Sequence, residues 1–308
     1  MIAETVAAPP AAETAKTRGR NKTKLITAIK DIRLLTERWR RNGKSIGLVP
    51  TMGALHEGHQ SLIREARRAC DRVVVTLFVN PLQFSPAEDL ETYPRDLKKD
   101  LRLVSAEKVE VLFAPAKEDM YPEGFSTRVV PSDRLTQPLC GQSRPEHFTG
   151  VATVVAKLIS QVRPHRAFFG QKDYQQWLVI KRVLADLNLG CEPILLPTVR
   201  EADGLARSSR NVYLNKEERA VAPALYQALK LAEGMLQVGE RNPKEVLEAV
   251  RKRLRSEPLI TIDYVSVRNA DTLEDLNILT GRVLVAVAVR LGKARLIDNI
   301  LVDLASGS

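Results

Sequence analysis

Cysteine is scarce in this chain. There are three in 308 residues, Cys70, Cys140 and Cys191, none of them in a CxxC. An odd number without paired spacing excludes a disulfide framework and a zinc ribbon, and leaves each thiol as a small apolar group. Long hydrophobic runs are also missing, and no stretch reaches the roughly 20 apolar residues of a membrane helix. The opening "MIAETVAAPPAAETAKTRGRNKTK" lacks the apolar centre of a secretory signal, and Glu4 and Glu13 argue against a transit peptide. Its Ala, Pro, Thr and Lys content reads as a disordered tail over residues 1–23. The expectation is a soluble, cytoplasmic protein with no membrane partner. Aromatic residues make up 5% of the chain, too few to suggest a base-stacking platform. Neither a P-loop nor a GxGxxG is present, and HExxH is absent as well.

Positive charge is in surplus, with a formal net charge of +10. Such a surplus favours anionic partners. The basic residues are spread along the chain, which points to a phosphate-bearing small molecule and not to nucleic acid. Apolar residues run at helical spacing from Leu25 to Trp39 and stop at Gly43. Five short apolar runs follow, "SIGLVPT", "RVVVTLFV", "EVLFAP", "RAFFG" and "EPILLPTV", alternating with helical patterns between residues 46 and 199. That alternation predicts an α/β fold, a Rossmann-like doubly wound parallel sheet. Residues 199–308 read as a smaller C-terminal α+β unit: two helical segments, then three strands, the last two joined at "LGKA". The expected division is 1–23 tail, 24–198 sheet domain and 199–308 lid.

Ligands on parallel sheets sit beyond the C-terminal strand ends. Four polar constellations fall at such places. In "TMGALHEGH", Gly53 and Gly58 permit a close backbone approach, and His56 and His59 can donate to phosphate oxygens at the start of a helix. Capping or core histidines are the plain alternative. In "FVNPLQF", Gln83 offers an amide to a carboxylate or hydroxyl, or is an ordinary loop residue. In "FFGQKDYQQ", Gly170 ends a strand, Lys172 can meet phosphates, Asp173 can cap the helix or bind ribose, and Gln176 shares a helical face with Lys172. In "DGLARSSRNVYL", Ser208, Ser209 and Arg210 form either a linker or a phosphate clamp.

The spacing x-H-x-G-H after a strand resembles the HIGH signature of the class I synthetase and nucleotidylyltransferase superfamily. All four stretches in order, together with "YPRDL" and "HFTGVATVVAKL", resemble the pantoate–β-alanine ligase family, the pantothenate synthetases, from about residue 24 onward. The resemblance implies ATP-dependent condensation of pantoate with β-alanine to pantothenate, with AMP and pyrophosphate released. It implies ATP contacts from Met52, Gly53, His56, His59, Gly170, Lys172, Asp173, Val199 and residues 207–210, with His59, His56 and Lys172 as the catalytic groups. Gln83 and Gln176 would bind pantoate, Gln83 also lying near β-alanine. Asp100 matches a Mg²⁺-associated acid, and the family suggests a homodimer. Three positions depart from the family's usual pattern: Gln171 for Glu, Arg207 for Met, and Lys99 at a place that is acidic in some relatives. A different nucleotidylyltransferase on the same fold, lacking the need for the glutamine pair, is the competing reading at this point.

Overall fold

The computed structural model describes residues 22–85 and 88–304, so the expected tail lies outside it save for Lys22 and Thr23. Thr23 is already part of the fold: it is buried, and its hydroxyl donates to the Val109 carbonyl at 2.7 Å. The Leu25–Trp39 pattern predicts one helix, but the chain splits there. Lys24–Ile26 is a strand, β1, and α1 spans Ile29–Arg41. Three residues at the start of an apolar pattern satisfy either period. The open edge of a later strand, which β1 pairs in parallel, decides between them.

Then follow β2 (Ile46–Thr51), α2 (Glu57–Ala69), β3 (Arg72–Leu77), a 3-10 turn over Pro81–Gln83, α3 (Leu97–Ala106) and β4 (Val111–Phe113). Short helical turns α4 (Lys117–Met120), α5 (Asp133–Thr136) and α6 (Cys140–Ser143) lead into α7 (His147–Val162) and β5 (Arg166–Gly170). A 3-10 turn over Gln171–Asp173 opens α8 (Tyr174–Asp186), and β6 (Glu192–Leu196) completes the sheet. The strand order is β1-β4-β3-β2-β5-β6, all parallel. β2 and β3 read as near-continuous apolar runs because both faces are covered. Ile32, Val155 and Ile159 belong to the core on one side, and Leu62, Ile63, Ala66 and Val104 to the core on the other. β2 lies between β3 and β5, so the chain reverses its direction of travel across the sheet there. That reversal parts the connections and leaves a crevice beyond Thr51, Leu77 and Gly170.

The C-terminal part holds α9 (Lys216–Val221), α10 (Ala224–Gln237) and α11 (Pro243–Arg255), then β7 (Ile260–Asn269), β8 (Gly281–Leu291) and β9 (Ala294–Leu304). The three strands form an antiparallel sheet, and "LGKA" is a two-residue hairpin in which Leu291 faces Ala294. β8 is buried on both faces. Val283, Val285, Val287 and Val289 join the core with α10 and α11, while Leu284 and Ala286 pack with Tyr174 and Leu178 of α8. The small sheet is thereby fixed against the large one. Among the described residues no helix is long and apolar enough to cross a membrane.

Candidate active site

A cavity of about 220 Å³ opens at the switch point, walled by the segments that follow β2, β3, β5 and β6. Met52, His56, His59, Gln83, Gly170, Lys172, Asp173, Gln176, Val199, Arg207, Ser208, Ser209 and Arg210 all line it. Gly53 and Asp100, nominated with them, do not.

The two histidines form a reciprocal cap on α2. His56 is its N-cap; its Nδ1 accepts from the Gly58 amide at 3.2 Å, and the His56 amide donates to His59 Nδ1 at 3.3 Å. Both Nδ1 atoms are acceptors, so each neutral ring carries its proton on Nε2. The sequence posed capping against phosphate binding; the geometry joins them, because the cap sets the tautomer that leaves a donor. Gly58 is needed for this, since a Cβ there would lie 2.9 Å from His56 Cε1. Burial, Lys172 and Arg207 lower the His56 pKa to about 4, with Asp173 opposing them. Burial, then His56 and Lys172, hold His59 well below 6.5. At neutral pH both rings are therefore uncharged donors beside a lysine, an arrangement suited to an incoming polyanion.

Asp100 explains the glycine before the pair. Gly53 (φ +89°) and Ala54 (φ +51°) turn the chain out of β2. The buried Asp100 carboxylate accepts from the Ala54 and Leu55 amides at 3.1 and 2.9 Å. A Cβ on Gly53 would stand 3.1 Å from Asp100 Oδ2. The glycine thus serves the turn and the carboxylate beneath it, and Asp100 shapes the loop from outside the cavity. Burial pushes its pKa up against the pull of the two amides.

Gln83 is fixed at both ends by residues without an assigned role in the sequence. Buried Asn80 donates from Nδ2 to the Gly150 carbonyl and to Gln83 Oε1, both at 3.0 Å. Asn80 Oδ1 accepts from Tyr121 Oη at 2.7 Å. With Oε1 taken, the Gln83 amide presents Nε2, which approaches Met52 Sδ at 3.1 Å. The Gln83 backbone carbonyl accepts from His147 Nδ1 at 2.9 Å and from Arg144 at 3.1 Å. Arg144 also donates to His147 Nε2 and pairs with Glu88 at 2.6 Å. Burial and Arg144 bring the His147 pKa to about 3, so it is neutral with its proton on Nδ1. Asn80 and His147 stand inside the quoted motifs; their function in fixing Gln83 depends on contacts 64 and 70 residues apart in sequence. Gln176 lines the same cavity, whose apolar lining includes Val151, Val154, Val155, Leu158 and Phe169. The lining combines these polar groups with apolar side chains.

Lys172 is mostly covered, with 18% of its side chain exposed, and stands 3.8 Å from Asp173. Asp173 occupies the N-cap position of α8 but makes no capping bond, and its carboxylate lines the cavity beside Lys172. The 208–211 segment is tied to the chain before α3. Arg210 holds Asp89 through two contacts, at 2.8 and 3.2 Å, and Ser209 Oγ is 3.2 Å from Tyr93 Oη. Thr198 Oγ1 is buried at the cavity wall with no hydrogen-bond partner, a signal the sequence does not carry. As for the departures, Arg207 adds a cation beside His56, Lys99 is exposed on α3, and the Gln171 amide lies 3.5 Å from Asn299 Oδ1.

Among the described residues, no group of three His, Cys, Asp or Glu side chains could cage a metal. Asp173 is the carboxylate among the lining residues.

A doubly wound parallel sheet with paired neutral histidines and a lysine at its switch point defines an α/β enzyme class built around a nucleoside phosphate. The comparisons specify the member. The family model described as pantoate-beta-alanine ligase matches residues 24–301. The pantothenate synthetase of Carboxydothermus hydrogenoformans is 50% identical over 280 residues, 91% of this chain and 99% of that one. The crystal structure of pantothenate synthetase from Thermus thermophilus superposes with a TM-score of 0.86 at 46% identity, covering 90% of this chain and 99% of that one. The pantoate-beta-alanine ligase of Francisella tularensis, solved with beta-gamma ATP and beta-alanine, gives 0.75 at 34% identity, over 91% and 97% of the two chains. This chain belongs to the pantoate–β-alanine ligase family.

Proposed function

We propose that this cavity carries out the ATP-dependent ligation of pantoate to β-alanine through a pantoyl adenylate. The observation that carries the reading is the pairing of two Nε2–H donors and Lys172 with an apolar pocket flanked by two glutamine amides. The first group suits a triphosphate. The second suits a small acid with a branched apolar body, which pantoate is.

The pantoate carboxylate attacks the α-phosphorus of ATP, and the bond to pyrophosphate breaks. Negative charge builds on the phosphorus oxygens, where the His56 and His59 donors and the Lys172 ammonium stabilise it. No protein nucleophile is required, so the three buried cysteines take no part. Gln83 and Gln176 hold the acid in line, supplying orientation. The β-alanine amine then attacks the acyl carbonyl, its proton leaves to solvent, and AMP departs. The mixed anhydride must be kept from water, which suits a cover made by residues 199–308 and the 208–211 segment. Gly53 and Val199 support the ATP site through backbone shape. Mg²⁺ carried on the ATP phosphates would supply charge neutralisation there; the cavity-lining Asp173 would help hold it, and Asp100 holds the loop. A cytoplasmic homodimer completes the reading, and light scattering tests the dimer.

The deciding experiment is AMP release measured with each substrate omitted. AMP should require both pantoate and β-alanine. Equal AMP or pyrophosphate formation without pantoate would sink the assignment.

A further inference from the structure

Two consecutive residues of β9 bond to two different segments whose neighbours line the cavity. Successive side chains on a strand point to opposite faces. Asp298 pairs with Arg200 at 2.5 and 3.0 Å; Arg200 also donates to the Gly204 carbonyl at 3.1 Å and lies over the Tyr226 ring at 3.9 Å. Asp298 thereby anchors the base of the loop that carries Ser208–Arg210. Asn299 faces the other way. Its Nδ2 donates to the backbone carbonyls of Gln171 and Lys172 at 2.9 and 3.0 Å. One amide group has two hydrogens, and both go to consecutive carbonyls of the turn that bears the phosphate-facing lysine. Asn299 is 4% exposed, so no water competes for these bonds.

We propose that Asn299 is a positioning residue for Lys172, so that the C-terminal sheet sets the lysine's place relative to the clamp loop. This rests on the ligase reading for the role of Lys172. The 171–173 turn is a short 3-10 segment, held in place by few bonds of its own. Without Asn299 two partly buried carbonyls lose this donor and the turn relaxes. The ammonium then sits off the phosphates, where displacement on the order of 1 Å costs about 100-fold in rate.

The test is a double-mutant cycle on the first half-reaction, read as pyrophosphate release from ATP and pantoate by the full chain. Asn299→Ala should lower kcat by about 10- to 100-fold, with KM for pantoate within about threefold. In a Lys172→Ala background the same substitution should cost less than about twofold, because the group it positions is gone. Equal losses in both backgrounds would show a general effect on the fold and overturn the proposal, as would no loss in the single variant. Should Asn299→Ala not yield soluble protein, Asn299→Asp, of the same shape but without the two donors, carries the same cycle. A wild-type chain that releases no pyrophosphate from ATP and pantoate would instead overturn the ligase reading itself.

Discussion

The His56 and His59 rings lie tilted against each other with centroids 4.1 Å apart, and each ring's Nδ1 accepts from a backbone N–H at the cap or first turn of α2. The pair is at once a helix cap and a set of donors. Replacing His59 should therefore cost in two measurements. His59→Ala should slow adenylation by about 10²- to 10³-fold. It should also lower stability by roughly 1 kcal/mol, the usual worth of a cap. Stopped-flow pyrophosphate release and denaturant melts check the two separately; near-normal turnover would show the ring to be structural alone.

Acid should destabilise the fold before its carboxylates titrate. His56 lies at about 4 and His147 at about 3 in the folded chain, against an ordinary 6.5, and His59 is lowered too. Between those values the unfolded chain binds more protons, so stability rises with pH and is lost as pH falls from 6.5 toward 4 and 3. His56 and His147 each contribute about 2 kcal/mol of loss near pH 5, and His59 adds in the same direction. Asp100 and Asp298, raised by burial, act in the opposite sense as pH falls toward 3.8. Thermal melts from pH 7 to 4.5 should show a falling Tm, with a shallower slope in His147→Gln. A flat profile would contradict the neutral-histidine assignment.

Arg207 lines the cavity near His56, at one of the three positions that depart from the pattern the sequence resembles. Its charge helps depress the His56 pKa and faces the same cavity. Arg207→Met should raise KM for ATP by about 3- to 10-fold, the range of one partly exposed phosphate contact, with kcat little changed. Steady-state kinetics at varied ATP decides; an unchanged KM would make Arg207 a bystander.

Thr198 Oγ1 is an unpartnered buried hydroxyl at the cavity wall. A polar atom left unpaired in the free protein costs stability and becomes useful when a ligand supplies the partner. Thr198→Val should leave Tm unchanged or higher and weaken ATP binding by about 10-fold. Calorimetry with ATP tests it, and unaltered affinity would rule out a ligand contact.

Asp100 and Asp173 separate loop support from metal handling. Asp100→Ala should cost about 2–3 kcal/mol through the freed Ala54 and Leu55 amides, while the Mg²⁺ midpoint of activity stays in place. Asp173→Asn should keep the fold and raise that midpoint. Titrating Mg²⁺ at fixed ATP distinguishes them, and the reverse pattern would return the metal to Asp100.

The sequence by itself determined the alternation of strands and helices, because central parallel strands such as "RVVVTL" must be apolar on both faces. It also determined which four stretches would meet, since each polar motif follows a strand end and strand ends of a parallel sheet share one edge. β1 was not legible: three residues satisfy either period, and only the waiting edge of β4 makes them a strand. Nor were the roles inside the motifs. Gly58 looks like an open backbone until the His56 ring is seen lying over it, and no pattern in the chain tells that the Asp100 oxygens sit on the Ala54 and Leu55 amides. Asn80 is held by Tyr121 and Gly150, 41 and 70 positions away, His147 bonds to Gln83 across 64 positions, and Asn299 to Gln171 across 128. Such bonds leave no periodicity in the chain. Local pattern fixes what a segment buries, whereas the partner that a buried polar atom finds is decided only when the whole chain has packed.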